Sequence, residues 1–428
     1  MKLVSSGMEK LRDPLYRNAF FLVVTSAFGG VFGFTFWLIV ARYYTSDAVG
    51  LSASLVALAG FLGYLSTLGL GIGLIRFLPS TSVGKNHRIN ASLTLTGLAS
   101  TGVALAFIAG VDLWSPIVTV VGNSWSYAIM FLAFTVGFAL MALVDSSFLA
   151  ARKASYVLHR SLIYNGLRLP IPILVATSLG ALGIFFSFGV ALLLALLVSL
   201  LFLMPRLYPG FVAMPSLQLS GIRDMISYSI GNHAANLLGR VPSGILPLLV
   251  LHQLSASSSA HFYIAWIMAS FLFVVPRASA QSLFIEGSHP ETHLAGDAVR
   301  SLRFSLLLLV PGVLFLLFAG PFLLGLFGEE YSTEGLALLR ILVLSAFFVA
   351  INSTFFSILR VNKRVGELTL LSSVVGVGTV AASYLLLDGF GMMGPGIAFL
   401  SIQAAISGYV LLRNLGASKR VAKGLMRF

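Results

Sequence analysis

Apolar segments of about 20 residues or more recur along the whole 428-residue chain, and they restrict its possible folds more than any other feature. An α-helix of about 20 residues spans the hydrocarbon core of a bilayer, which is about 30 Å thick. Only 10% of the residues are charged, against roughly 25% in a soluble domain. The apolar run at residues 190–204 lacks the alternation typical of barrel strands. The sequence therefore predicts an all-α polytopic membrane protein.

Charged residues and Gly/Pro clusters divide the chain into about twelve predicted transmembrane helices. They cover residues 18–41, 48–77, 89–111, 124–149, 156–178, 182–204, 220–250, 258–280, 299–325, 334–359, 366–387 and 392–412. We expect the first segment to remain as a helix, because no small-residue cleavage site follows it before Arg42. The chain has no cysteine, which excludes disulfides and thiolate metal sites. We expect neither a metal nor a cofactor.

Basic residues collect in alternate connections between these helices. The formal net charge is +13, and 27 residues are lysine or arginine. All of them lie on one predicted side except Arg42, Arg168, Arg240 and Arg340. By the positive-inside rule that side is cytoplasmic, and both termini lie there. The distribution of the charge therefore indicates how the protein is oriented in a cell membrane, and it favours contact with anionic lipid headgroups. We expect no nucleic-acid partner.

Three short similarities suggest an internal repeat. VARYYTSDAVG at Val40 resembles VLHQLSASSSA at Val250, VDSSF at Val144 resembles INSTF at Ile351, and GALG at Gly180 resembles GMMG at Gly391. In each pair the two segments are separated by nearly the same number of residues, and the three pairs follow the same order along the chain. They predict two parallel halves of six helices, residues 1–206 and 219–428, joined by a cytoplasmic linker at residues 207–218. A purely structural duplication is the alternative.

The segments FWLIVARYYTSDAVGLSASL, LSTLGLGIGLIRFLP and GMMGPGIAF, with Arg17 before the first helix, resemble polysaccharide-biosynthesis flippases. These O-antigen or oligosaccharide-lipid exporters belong to the superfamily that also contains multidrug-and-toxin extruders and the lipid II flippase. The resemblance implies a V-shaped pair of six-helix bundles around a cavity that opens alternately to each side. It also implies a polyprenyl-pyrophosphate-linked glycan as substrate. One departure is LLGRVP in the seventh helix, where relatives often carry an acidic residue.

Two predicted helices carry a polar face within an apolar sequence. On a helix of 3.6 residues per turn, the polar residues of each helix fall within an arc of about 100°. The seventh-helix face contains Ser229, Asn232, His233, Asn236, Arg240 and Ser243, and the fifth-helix face contains Ser161, Tyr164, Asn165 and Arg168. Charged groups at this depth usually face a bundle interior or a wet cavity. The polar faces are therefore predicted to line a substrate cavity.

The buried arginines have no acidic residue at matching depth in the sequence. An arginine fork matches phosphate oxygens, so we expect Arg240 and Arg168 to contact a lipid pyrophosphate. The amides, His233 and Tyr164 suit sugar hydroxyls, and Arg340 and Arg42 are further candidates. In the alternative interpretation, these arginines bond backbone carbonyls near prolines or extend to the membrane surface.

The predicted function is therefore a monomeric lipid-linked-glycan flippase that has no catalytic residues and works beside glycan-assembly enzymes. Three other classes stay open. A cation-coupled multidrug extruder would favour carboxylates in its cavity. A membrane glycosyltransferase or polymerase would usually need a sizeable outer loop with acid/base groups. A scaffold for a glycan-assembly complex would not need buried arginines.

Overall fold

The computed structural model describes residues 14–81, 84–114, 119–179, 181–218, 222–287 and 294–425. Every regular element within these ranges is helical. Four basic residues that the sequence predicts on the cytoplasmic side lie outside the described residues: Lys2, Lys10, Arg12 and Arg427. Within the described ranges, eleven helices are long and apolar enough to cross a membrane. The predicted all-α polytopic fold is therefore confirmed.

The chain divides into two compact units, Met1–Leu237 and Leu238–Phe428. The described helices up to the division are α1 Pro14–Tyr43, α2 Ser46–Leu65, α3 Leu70–Phe77, α4 Lys85–Ala109, α5 Val111–Trp114, α6 Val120–Asn123, α7 Trp125–Ala150, α8 Ala154–Arg168, α9 Ile171–Leu179, α10 Ala181–Val198, α11 Met204–Leu207 and α12 Ile222–Gln253. A π-helical turn, Ser199–Leu203, joins α10 to α11.

The division between the units falls inside α12. The helices after it are α13 Ala256–Gly287, α14 Leu294–Gly325, α15 Glu329–Val361, α16 Val365–Ser373, α17 Thr379–Phe390 and α18 Met393–Leu425. A second π-helical turn, Val374–Gly378, joins α16 to α17. The first turns of α12 belong to unit 1 because Ile222 and Met225 lie in its hydrophobic core with Leu70 and Phe148. The limits of the sequence repeat stay a prediction.

The second predicted helix, at residues 48–77, is not continuous. It is broken between α2 and α3, where Leu68 has φ +52° and Gly69 has φ +77°. The side chains of Ser66 and Thr67 donate to the carbonyl oxygens of Leu62 and Tyr64. The same two carbonyl oxygens also accept the backbone N–H groups of Ser66 and Thr67, at 3.0 and 3.1 Å. The break therefore ends α2 with its polar groups paired.

The fifth predicted helix, at residues 156–178, is also interrupted. It consists of α8, with 15 residues, and α9, with 9 residues. Pro170 and Pro172 follow the end of α8. Proline has no N–H for the helical hydrogen bond, and its ring clashes with the preceding turn. Since neither piece alone is a full span, the eleven long helices and this pair correspond to the twelve predicted ones.

The repeat motif VDSSF/INSTF places Asp145 of α7 and Asn352 of α15 in equivalent positions, and each has a polar partner within its own unit. Asp145 accepts hydrogen bonds from Arg160. The Asn352 amide donates to the Gln403 side-chain oxygen at 2.6 Å, and Ser407 donates to the Asn352 oxygen at 2.9 Å. Pairing of this kind is what makes a buried polar side chain tolerable.

Candidate functional site

The Arg168 guanidinium is the main feature of the predicted fifth-helix face. Arg168 is the last residue of α8 and is only 5% exposed. Its Cζ atom lies 5.0–5.1 Å from the ring centroids of Phe36, Tyr164 and Phe188. We call these three side chains the aromatic cage. Cation–π contacts stabilise a guanidinium by about 2 kcal/mol or more where it is desolvated, so the cage holds the charge in place.

The polar contacts of Arg168 leave part of its hydrogen-bonding capacity unused. Nη1 donates to the Tyr164 hydroxyl at 3.2 Å. Nε is buried and has no hydrogen-bond partner within the described structure. No carboxylate of the described residues forms an ion pair with Arg168. Asn165, on the same face, is also buried and donates to Ser161.

Arg160 lies on α8 eight residues before Arg168, and its environment is different. Nε of Arg160 donates to Oδ1 of Asp145 at 3.0 Å, and Nη2 donates to Oδ2 at 2.5 Å. The two side chains are 12% and 25% exposed. Arg160 therefore has a bidentate carboxylate partner from α7, whereas Arg168 has none among the described residues.

The polar face of α12 lies partly in each unit. In unit 1, His233 is buried, and Asn232 and Asn236 are half-buried. The His233 ring is 5.2 Å from the Tyr64 ring, and its Nε2 lies 3.4 Å from the Leu65 carbonyl oxygen. These contacts bring His233 to the carboxyl end of α2, where that helix is broken.

The other three predicted arginines are exposed. Arg240 lies in unit 2, where its charge interacts with that of Arg277 on α13. Arg340, on α15, forms no ion pair with a carboxylate of the described residues. Arg42 is in the last turn of α1. None of the three shares the enclosed setting of Arg168.

The sequence interpretation missed the residues that enclose Arg168. Phe36 and Phe188 are two of 34 phenylalanines, and nothing in their spacing distinguishes them. Gly33 also adjoins this site, because a Cβ there would lie 3.4 Å from Nη2 of Arg168. The sequence interpretation also did not pair Asp145 with Arg160, although the two form an ion pair.

Comparisons with known proteins identify the fold. No family model matches the sequence, and no curated protein matches it significantly. Lipid II flippase MurJ in an inward closed conformation matches with a TM-score of 0.76 and 12% identity, covering 91% of this chain and 86% of that chain. An inward-facing multidrug resistance MATE family transporter of the MOP superfamily matches with a TM-score of 0.70 and 14% identity, covering 92% and 96%.

A third solved structure is a MOP superfamily transporter from Pyrococcus furiosus, described as having a binding pocket whose reverse polarity suggests a different function. It matches with a TM-score of 0.65 and 12% identity, covering 96% of this chain and 95% of that chain. The protein is therefore a multi-pass membrane protein with the fold of MOP superfamily transporters. This is the superfamily whose fold the sequence resemblance predicted.

Proposed function

We propose that the protein is a flippase of the plasma membrane. It moves an oligosaccharide linked to a polyprenyl pyrophosphate from the cytoplasmic to the outer leaflet by alternating access. The observation that supports this most is the Arg168 guanidinium, buried in the aromatic cage with no carboxylate partner among the described residues.

A buried charge without a counter-charge is unfavourable, and a protein that retains one usually uses it. A pyrophosphate would supply the missing negative charge. The oxygens of a pyrophosphate match the planar fork of a guanidinium. The Nε–H of Arg168, which has no partner in the described structure, would donate a hydrogen bond to one of these oxygens. The cage holds the guanidinium in a restricted orientation, as phosphate recognition requires.

The half-buried amides of Asn232 and Asn236 would bind the hydroxyl groups of the glycan. An amide both donates and accepts hydrogen bonds, and this suits a sugar hydroxyl. Arg240, exposed on the same helix, is proposed as a second pyrophosphate contact. The similarity of the fold to that of the lipid II flippase MurJ supports a lipid-linked substrate.

The multidrug transporters with the same fold support a second candidate, an exporter of organic cations. That function would favour available carboxylates within the membrane spans. Three described acidic residues of the spans pair with arginine: Asp145 with Arg160, Asp297 with Arg300, and Glu367 with Arg364 and Arg413. The other described acidic residues of the spans lie within two turns of a span end: Asp47, Glu329, Glu330, Glu334 and Asp388. The charge arrangement around Arg168 favours an anionic substrate.

The test follows translocation of a fluorescent polyprenyl-pyrophosphate oligosaccharide in liposomes that contain the purified protein. We compare the wild type with Arg168→Met, which keeps an unbranched side chain in the cage, and with Arg168→Lys, which keeps the charge but loses the fork. Arg300→Gln is the matched control, because Arg300 is exposed and its ion pair within the described residues is with Asp297, three residues away.

We expect the wild type and Arg300→Gln to move the lipid, Arg168→Met to lose movement, and Arg168→Lys to be intermediate. The proposal is overturned if folded Arg168→Met moves the lipid at the wild-type rate. Absence of movement with several carrier lipids, together with export of an organic cation under an ion gradient, would assign the protein to the multidrug class.

A further inference from the structure

Residues 208–218, between α11 and α12, form no regular secondary structure but are bonded to α4 along their length. The Asn86 amide donates to the Pro209 carbonyl oxygen at 3.2 Å, and the Asn90 amide donates to the Val212 carbonyl oxygen at 2.8 Å. The backbone N–H of Ser216 donates to Oγ1 of Thr94 at 2.9 Å. The three α4 residues are spaced by four, so they share one helix face. We call residues 208–218 the strap.

The inner side of the strap is anchored in unit 1. Tyr208 and Phe211 are buried in the hydrophobic core. The Tyr208 hydroxyl donates to the Ser147 carbonyl oxygen of α7 at 2.7 Å. The strap backbone is thus held on one side by side chains of α4 and α7.

The outer side of the strap presents apolar side chains. Val212 and Met214 are each 61% exposed, and Leu217 is 72% exposed. No charged residue occurs from Leu207 to Ile222. Because the backbone is fixed by α4, these side chains cannot turn inward together. They form a fixed apolar surface rather than a polar solvated loop.

The surroundings of this surface indicate what covers it. The strap begins directly after the membrane span Leu182–Leu207, so it lies at the level where a bilayer surface would be. Arg206 and Arg223 flank it and are exposed, and Lys85 and Arg88 lie at the start of α4. Asp224, next to Arg223, is the acidic residue nearest to the strap in the sequence. Apolar side chains surrounded by an excess of basic ones suit a membrane surface of negatively charged lipids.

We infer that the strap is a membrane-surface element. Val212, Met214 and Leu217 insert into the interface of the leaflet, and Arg206 and Arg223 select anionic headgroups there. This surface is separate from Arg168 and does not depend on what the protein transports. Another protein over the strap, or water, is a competing outcome of the test.

The absence of cysteine makes the test direct, because a single introduced cysteine is the only site that a thiol-reactive fluorophore can label. We label Met214→Cys or Leu217→Cys in the full chain, reconstituted in vesicles. Quenching is measured with lipids brominated on their acyl chains, either zwitterionic or anionic, and with iodide in water. Lys153→Cys, in the exposed turn before α8, is the water control, and Phe318→Cys, 81% exposed within a span, is the lipid control.

We expect labels at positions 214 and 217 to be quenched by brominated lipid, more strongly by the anionic one, and protected from iodide. Adding Arg206→Gln or Arg223→Gln should lower the preference for anionic lipid about fivefold for each arginine removed. Quenching like that of Lys153→Cys, or protection from both kinds of quencher, would overturn the inference. Equal quenching by both lipids would overturn the selection of anionic headgroups.

Discussion

The carbonyl oxygen of Leu238 in α12 approaches Gly376 so closely that a Cβ on residue 376 would lie only 2.2 Å from that oxygen. Gly376 is in the π-helical turn Val374–Gly378, and both residues belong to unit 2. Pro242 explains why this carbonyl is available. In a regular helix the N–H of residue 242 would donate to it, but proline has no N–H. The π-helical turn thus packs against the bend-prone part of α12.

We expect Gly376→Ala to lower the free energy of unfolding by about 1–3 kcal/mol, since the clash is with backbone and cannot be relieved by a rotamer change. The measurement is thermal unfolding in detergent. Gly366→Ala is the matched control, because nothing lies within 4 Å of a Cβ at that helical position. Equal unfolding temperatures for the two variants would show that α12 is not held at this point.

Gly69 is the second glycine with a strict requirement. Its φ is +77°, and a Cβ there would lie 2.9 Å from the Ser229 Cβ and 3.1 Å from the His233 Cβ. Gly84 has a similar φ of +82° but open space around it. Gly84→Ala should therefore cost only about 1 kcal/mol of backbone strain. Gly69→Ala should cost about 1–3 kcal/mol more, because it also separates α3 from α12.

Unfolding of both variants under the same conditions separates the two contributions. If Gly69→Ala loses no more unfolding free energy than Gly84→Ala, the contact between the break and α12 is loose. The polar face of α12 would then not depend on the break for its position.

The sequence predicts the long helices well because apolar length alone determines whether a segment can span a bilayer. It predicts the two breaks poorly. The break at Gly69 lies close to Ser229 and His233, which are far away in the chain, so the sequence around Gly69 does not show what packs there. At Pro170 the local signal was present, but proline is tolerated in many membrane helices, so the prolines alone did not indicate two separate pieces.

The candidate site was predictable where it is charged and not where it is apolar. Arg168 stands out because an arginine in an apolar segment is rare. Phe36 and Phe188 carry no such signal, although they decide how Arg168 is held. The pairing of Arg160 with Asp145 joins two helices, and nothing in the spacing of the two residues required it.

The contrast between Arg160 and Arg168 gives a prediction about stability. Arg160→Met should leave Asp145 partly buried without its partner and lower the free energy of unfolding by about 2 kcal/mol. This is less than the roughly 3–5 kcal/mol for a fully buried pair, because both side chains retain some exposure. Arg168→Met loses the cation–π contacts of the cage but also removes a buried charge that has no carboxylate partner among the described residues. Because the desolvation cost of a buried charge is several kcal/mol, the stability of this variant should be equal to or above that of the wild type.

Thermal unfolding of the two variants, with Arg160→Met/Asp145→Asn as a rescue, checks this. The double variant should recover part of the loss. If Arg168→Met is as destabilised as Arg160→Met, then Arg168 is a structural residue, and its proposed contact with pyrophosphate loses its main support.

Tyr208 gives a prediction that depends on pH. Its hydroxyl donates to the Ser147 carbonyl oxygen, and burial raises the pKa of this phenol from 10.0 to about 12. Below pH 10, Tyr208→Phe should lower the free energy of unfolding by about 1 kcal/mol through loss of this hydrogen bond. Between pH 10 and 12 the unfolded chain releases the phenol proton while the folded chain keeps it. The wild type therefore loses stability as pH rises through this window.

The phenylalanine variant has no proton to release at position 208, so its free energy of unfolding should fall less between pH 10 and 12. The difference in unfolding temperature between the two proteins should narrow above pH 10 and can change sign. Measuring both in one detergent from pH 7 to 11.5 cancels the titration of the lysines and other tyrosines. A difference that stays constant across this range would mean that water reaches the Tyr208 hydroxyl, and that this end of the strap is not held in the core.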